Sequence, residues 1–342
     1  MYGLLGLRAA EAQGLPITRV LARHLPSYLC GGYLGCDVGT LPAALCQDTG
    51  QPVGYGAMKL TRSPLTGGQV KPWTLALGGQ HFTPREIHER FYGRAHLAFG
   101  WTGADTALAI PWEKLPEYFA AAAGDAMELF GPGERPLAYC FGWMAHVIGD
   151  GLVKSVAPGF DLFLHDGKYT PANRPIQDLM TFHEVGVKEL GLDWPALLQD
   201  LVETPIEPAQ THYMRCAMRR GRLGKQAKHG WRPGDESLLL QVLTENRRYQ
   251  RIRNERILED LRLRDTPEGP QCDPALSAQA GRLSWAEMKT LAEKAHFRHA
   301  LWQMGEYVAE IFAEVCQRLP VLKEAPKLDT PAWEALTRRW SR

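Results

Sequence analysis

Apolar positions recur at helical spacing over most of this 342-residue chain, and the interruptions between them mark out its elements. "LPITRVLARHLPSYLC" (15–30) opens with a helical pattern that is expected to break at Gly31-Gly32, Gly35 and Gly39. "TPREIHERFYGRAHLAF" predicts a helix starting at Thr83, where Thr-Pro precedes an acidic and apolar periodicity. "PWEKLPEYFAAAAGDAMELF" predicts another, stopped by "GPGERP", and 135–156 then reads as an apolar helix. "IQDLMTFHEVGVKELGL" returns to helix and ends near Gly191, with further helices expected at 194–203, 236–264, 284–318 and 330–340. Residues 47–85 are rich in Gly, Pro and Thr and suggest a long excursion holding a hairpin, while 265–283 is a polar connection. Helix outweighs strand, so the expected class is all-α. The expected organisation is a core over 1–204 with a loop insertion near 47–85, and a helical extension over 205–342 packed on that core. No internal repeat is visible.

Composition alters this picture little. The chain is 45% hydrophobic, enough for a substantial core, and its 39 basic and 38 acidic residues give no global field that demands nucleic acid or membrane. The local exception is 215–256, which carries Arg215, Arg219, Arg220, Arg222, Lys225, Lys228, Arg232, Arg247, Arg248, Arg251, Arg253 and Arg256. A solvated helix face and loop explains such a run, and so does a surface for anionic lipid or another polyanion. Seven scattered cysteines with no CxxC pair give neither a disulfide framework nor a thiolate zinc site. The apolar start "MYGLLGLRAAEAQG" is short and lacks a basic leader, so it does not read as a signal peptide, and a cytoplasmic location is expected on that ground.

Chemistry concentrates in "YCFGWMAHVIGDGLVKS" (139–155). His146 and Asp150 stand one helical turn apart in an apolar run, so both side chains leave the helix on one face. A metal ion would satisfy them, and so would an ordinary hydrogen bond. Zinc favours imidazole nitrogen and carboxylate oxygen. A carboxylate can also bridge two metals about 3.5–4 Å apart, the arrangement that clamps a phosphoryl oxygen. The other His and Asp residues beside the helices are Asp37, His88, His96, His165 and His183.

The order of these elements, "GGYLGCDVGTLP", "RAHLAFGW", "FGWMAHVIGD", a loop histidine and "DLMTFHE", resembles the zinc-dependent phospholipase C family over roughly residues 15–190. The resemblance implies an all-helical phospholipase C / P1 nuclease-like core. It implies a zinc-dependent hydrolase in which metal-activated water attacks a phospholipid or other phosphodiester. Matched residue by residue, Asp37 is a metal ligand and general base, His96 a ligand, and His146 and Asp150 the central pair, with Asp150 bridging. His165 is the loop ligand and His183 the histidine of the last helix. Two or three zinc ions, and export from the cell, follow from the same resemblance.

Three departures qualify the match. The family's helical glutamate should follow His183 by four, yet that position is Val187, so Glu184 is the replacement considered first and Glu189 the second. The interval from Asp150 to His165 is long. No early histidine other than His24 is present to complete a third site, which favours two zinc ions over three. A single-strand nuclease on the same scaffold is the alternative hydrolase, for which nucleic acid would be the partner. A non-catalytic lipid- or protein-binding member of the fold is the alternative outside enzymes. Contact with an anionic membrane would run through 215–256.

Overall fold

Two helices from distant parts of the chain lie so close that their backbones nearly touch, and this crossing organises the molecule. The structure, a computed structural model, describes residues 1–34, 41–55, 59–64, 66–87, 90–91, 111–153, 172–206, 208–219 and 232–323. These are mostly helical, in line with the all-α class. Helices α1 (Tyr2–Ala12), α2 (Thr18–Arg23) and α3 (Leu25–Leu34) open the chain. The glycines expected to end α3 do not end it, because Gly31 and Gly32 lie inside the helix. Their role is contact with α6 (Glu134–Val153). A Cβ added at Gly31 would fall under 3.0 Å from the Tyr139 carbonyl oxygen, and one added at Gly142 under 3.0 Å from that of Tyr28. Only a residue without Cβ permits such an approach.

A second crossing of the same kind joins α1 to α13 (Phe297–Arg318), with Gly6 against Val308 and Gly305 against the Leu5 backbone. The apolar core therefore draws on both halves of the chain, with Leu4, Leu5 and Leu7 from α1 and Val308, Ile311 and Phe312 from α13. Aromatic rings meet edge to face around it, Phe141 with Phe312 at 4.8 Å and Phe119 with Trp143 at 5.5 Å. The Tyr28 hydroxyl donates to the Gly3 carbonyl at 2.8 Å, which satisfies the one polar atom that this ring carries into the core.

The Gly- and Pro-rich excursion holds more strand than one hairpin. β1 (Pro42–Cys46) pairs antiparallel with β2 (Pro52–Tyr55) and β3 (Val70–Pro72), and β4 (Leu75–Leu77) pairs with β5 (Gln80–Phe82). Gly78 and Gly79 supply the two positive φ angles that the tight β4–β5 turn needs. Trp73 anchors this region by donating from its indole to the Tyr249 hydroxyl at 2.8 Å, on α10 (Asp235–Asp260). Helix α4 (Pro84–Ile87) starts at Thr83 as expected, where Thr83 and Glu86 satisfy each other's backbone donors.

Helix α5 (Leu115–Phe130) stops at Gly131 in a positive-φ conformation. Helix α7 (Asn173–Leu179) does not continue to Gly191 as a regular α-helix, because Met180–Glu189 is π-helical. The Trp194 indole donates to the Phe182 carbonyl at 3.1 Å, and a side-chain donor entering the backbone ladder is a recognised cause of altered helical pitch. Helices α8 (Trp194–Glu203) and α9 (Pro208–Arg219) follow. The connection 265–283 contains the short α11 (Pro274–Gln279). The expected helix 284–318 is two helices, α12 (Trp285–Lys294) and α13, separated at His296, which takes φ 51°. The last described helix is α14 (Pro320–Lys323), and the helix expected at 330–340 lies outside the described residues.

Candidate functional site

Along 141–150 of α6 every residue is buried except His146 and Asp150, which are half-buried. Within this stretch the burial is thus relaxed only at its two ligand-type side chains, one turn apart. The His146 ring is oriented by a hydrogen bond of 2.9 Å between Nδ1 and the Gly32 carbonyl oxygen. A carbonyl only accepts, so Nδ1 carries the proton and, in the neutral ring, the lone pair sits on Nε2. This is the state a metal-ligating histidine takes when a backbone carbonyl holds its other nitrogen. The bond depends on the α3–α6 crossing, because Gly32 is one of the glycines that let the helices meet.

Asp37 lies outside the described residues. His146 also lines a small cavity of about 130 Å³ with Tyr2, Leu29, Trp194, Leu197 and Leu201, and among the described residues its lining includes no carboxylate.

His183 has different surroundings. Its Nε2 lies 2.7 Å from the Leu261 carbonyl oxygen, so Nε2 is the donor and Nδ1 is the nitrogen that could ligate a metal. Its ring packs against Phe182 and Trp285. Glu184 pairs with Lys188 at 2.7 Å. Glu189, the second candidate, binds the Arg298 guanidinium and accepts from the Trp302 indole at 2.9 Å. Trp194 touches both regions, since it lines the His146 cavity and stacks on Phe182 with ring centres 5.1 Å apart.

The structure thus sets His146 against the end of α3, with Asp150 one turn further along α6, and holds His183 through Leu261 and Trp285. His96 and His165 lie outside the described residues, as do His88 and Lys154. Among the described residues no group of three or more His, Cys, Asp or Glu side chains is placed to hold a metal ion. For zinc, the tautomer of His146 fits, and Glu184 and Glu189 are engaged with cations.

His24 is held by Glu134 at 3.1 Å, beside Arg23, so this early histidine serves a surface ion pair at the start of α6. The basic stretch is not one exposed face. Arg215 pairs with Glu236 at 2.9 Å, and Arg247 donates to the buried Cys30 sulfur at 3.1 Å. Burial pushes the Cys30 thiol up, with Arg247 opposing, and burial pushes Cys140 up to about 12, with Cys216 adding to it. Thiols held this high are not nucleophiles at neutral pH. The described cysteines are all free. No helix among the described residues is long and apolar enough to cross a membrane. The support that Gly32 gives His146 left no mark in the sequence, because a carbonyl partner has no residue type. No family model, curated protein or solved structure matches the chain.

Proposed function

We propose that this chain is a zinc-dependent phosphoester hydrolase with a phospholipase C-like core, acting on a phospholipid or another phosphodiester. The observation that carries the reading is the pair His146 and Asp150, half-buried and one turn apart within an otherwise buried stretch of α6, with the histidine held in the ligand tautomer. In this reading His146 offers Nε2, and Asp150 offers two carboxylate oxygens, enough to serve two ions. Asp37 and His96 complete one site, with Asp37 taking up the proton as general base. His165, His183 through Nδ1, and Glu184 form the other. Bound zinc supplies an activated water and neutralises charge on phosphoryl oxygens. The chain's own part is to fix donor positions before substrate arrives, which the α3–α6 crossing does for His146.

One observation favours a second reading, a non-catalytic binding member of the fold: Glu184 already pairs with Lys188, and His183 with a backbone carbonyl. Metal content decides between them. Protein purified without chelator or affinity-tag metal is measured by inductively coupled plasma mass spectrometry beside the His146→Ala, Asp150→Ala double variant. The proposal expects about two zinc ions per chain, lost in the variant, and hydrolysis in a phosphodiester screen. A folded wild type that takes up no zinc when offered it refutes the proposal.

A further inference from the structure

A groove of about 330 Å³ opens between α8 and α10, away from the candidate ligands. Its floor is apolar, made by Leu198, Val202 and Leu258, and its rim carries Glu203, Arg251 and Glu255. Arg251 and Glu255 are four apart on α10, with the arginine N-terminal, the less favourable order for a helical ion pair. Among the described residues neither makes an ion pair or a hydrogen bond. Both charges therefore remain available at the mouth of an apolar groove.

We infer that this groove binds a free apolar α-amino acid. Two features converge on that class. The rim presents a guanidinium, which grips a carboxylate through paired N–H groups, next to carboxylates that accept from an ammonium. The floor is apolar and takes an aliphatic or aromatic side chain. A purely anionic ligand would meet two carboxylates and one cation, and a purely cationic one would leave Arg251 unanswered. A zwitterion meets both signs.

Leu198 lines this groove and also the His146 cavity. Ligand seated here would rest one side chain away from the candidate metal pair. The binding itself needs no metal, so it stands or falls apart from the hydrolase reading.

The test is isothermal titration of the whole chain, with a chelator present, using L-leucine and L-phenylalanine. Parallel arms use 4-methylpentanoate, which lacks the amine, and 3-methylbutylamine, which lacks the carboxylate. Saturable binding of the amino acids is expected, at least tenfold tighter than either truncated ligand. Arg251→Ala should weaken it at least tenfold. Arg251 is exposed and makes no ion pair or hydrogen bond among the described residues, so this variant keeps its structure; Leu258→Trp, which fills the groove, provides a second check. No saturable heat from either amino acid overturns the inference. So does binding that is unchanged in Arg251→Ala, or equal for 4-methylpentanoate.

Discussion

Replacing Gly142 with alanine tests the α3–α6 crossing directly. The new Cβ would meet the Tyr28 carbonyl oxygen at under 3.0 Å, where ordinary contact begins at 3.4 Å, and the obstacle is backbone, which cannot rotate away. The helices must separate or bend, and overpacking of a filled core costs about 1–3 kcal/mol, with a rigid obstacle at the upper end. Alanine also improves helix propensity by about 1 kcal/mol, which offsets part of this. The net expectation is a loss of about 2 kcal/mol in urea denaturation. Gly124→Ala is the matched control, since its Cβ would sit 3.7 Å from Leu319 Cδ2, an ordinary contact, in the middle of α5. There the propensity term acts alone and a gain of up to about 1 kcal/mol is expected. The reasoning also predicts a consequence at the site. His146 lies one turn beyond Gly142, and its bond to Gly32 spans the same crossing, so Gly142→Ala should weaken zinc uptake. If both alanine variants stabilise the protein equally, the close approach of α3 and α6 is refuted.

Asp235 is 1% exposed in its side chain and pairs with Arg90 at 2.7 Å. Asp235→Asn should cost about 3 kcal/mol in urea, the low end for a broken buried pair because Arg90 keeps some solvent; a loss under about 1 kcal/mol would rank the pair with surface bridges. Glu134 is held below its ordinary value: partial burial opposes this, but hydrogen bonds from His24 and Arg23 and their charges prevail. A lowered folded-state value means stability that is present above the unfolded glutamate value, about 4.3, and lost as pH falls through the folded one. The stability difference between wild type and Glu134→Gln should therefore be present at about pH 5 and shrink toward pH 3; a difference that grows between about pH 5 and pH 3 contradicts the assignment. His183→Ala removes the donor to the Leu261 carbonyl and should cost about 1–3 kcal/mol with chelator present. It should also reduce bound zinc; unchanged zinc removes His183 from the ligand set.

Much of the helical layout was legible because amphipathic periodicity is a local property. The ends of α5 at Gly131 and of the Met180–Glu189 segment near Gly191, and the start of α4 at Thr83, fell where capping and breaking residues put them. What failed depended on distant partners. Gly31-Gly32 looks like a break from its neighbours alone, and becomes a contact surface only when Gly142, more than a hundred residues on, is opposite it. The division between α12 and α13 has no Gly or Pro to mark it, since a histidine takes the left-handed conformation there. The π-helical turns reflect the Trp194 donor, invisible to any periodicity within 173–190. For the candidate site, the sequence identifies donor types and the spacing of His146 and Asp150. Which ring nitrogen carries the proton, and what holds it, depended on the fold.

The α1–α13 crossing sets a timetable for synthesis. Leu4, Leu5 and Leu7 leave the ribosome some three hundred positions before Val308 and its neighbours, which cover them. At typical elongation rates of about 5–20 residues per second, the first helix waits roughly 15–60 s for its partner. During that interval its leucines must be sheltered by provisional contacts or by a chaperone. The molecule can close its core only when nearly all of the described chain has been made.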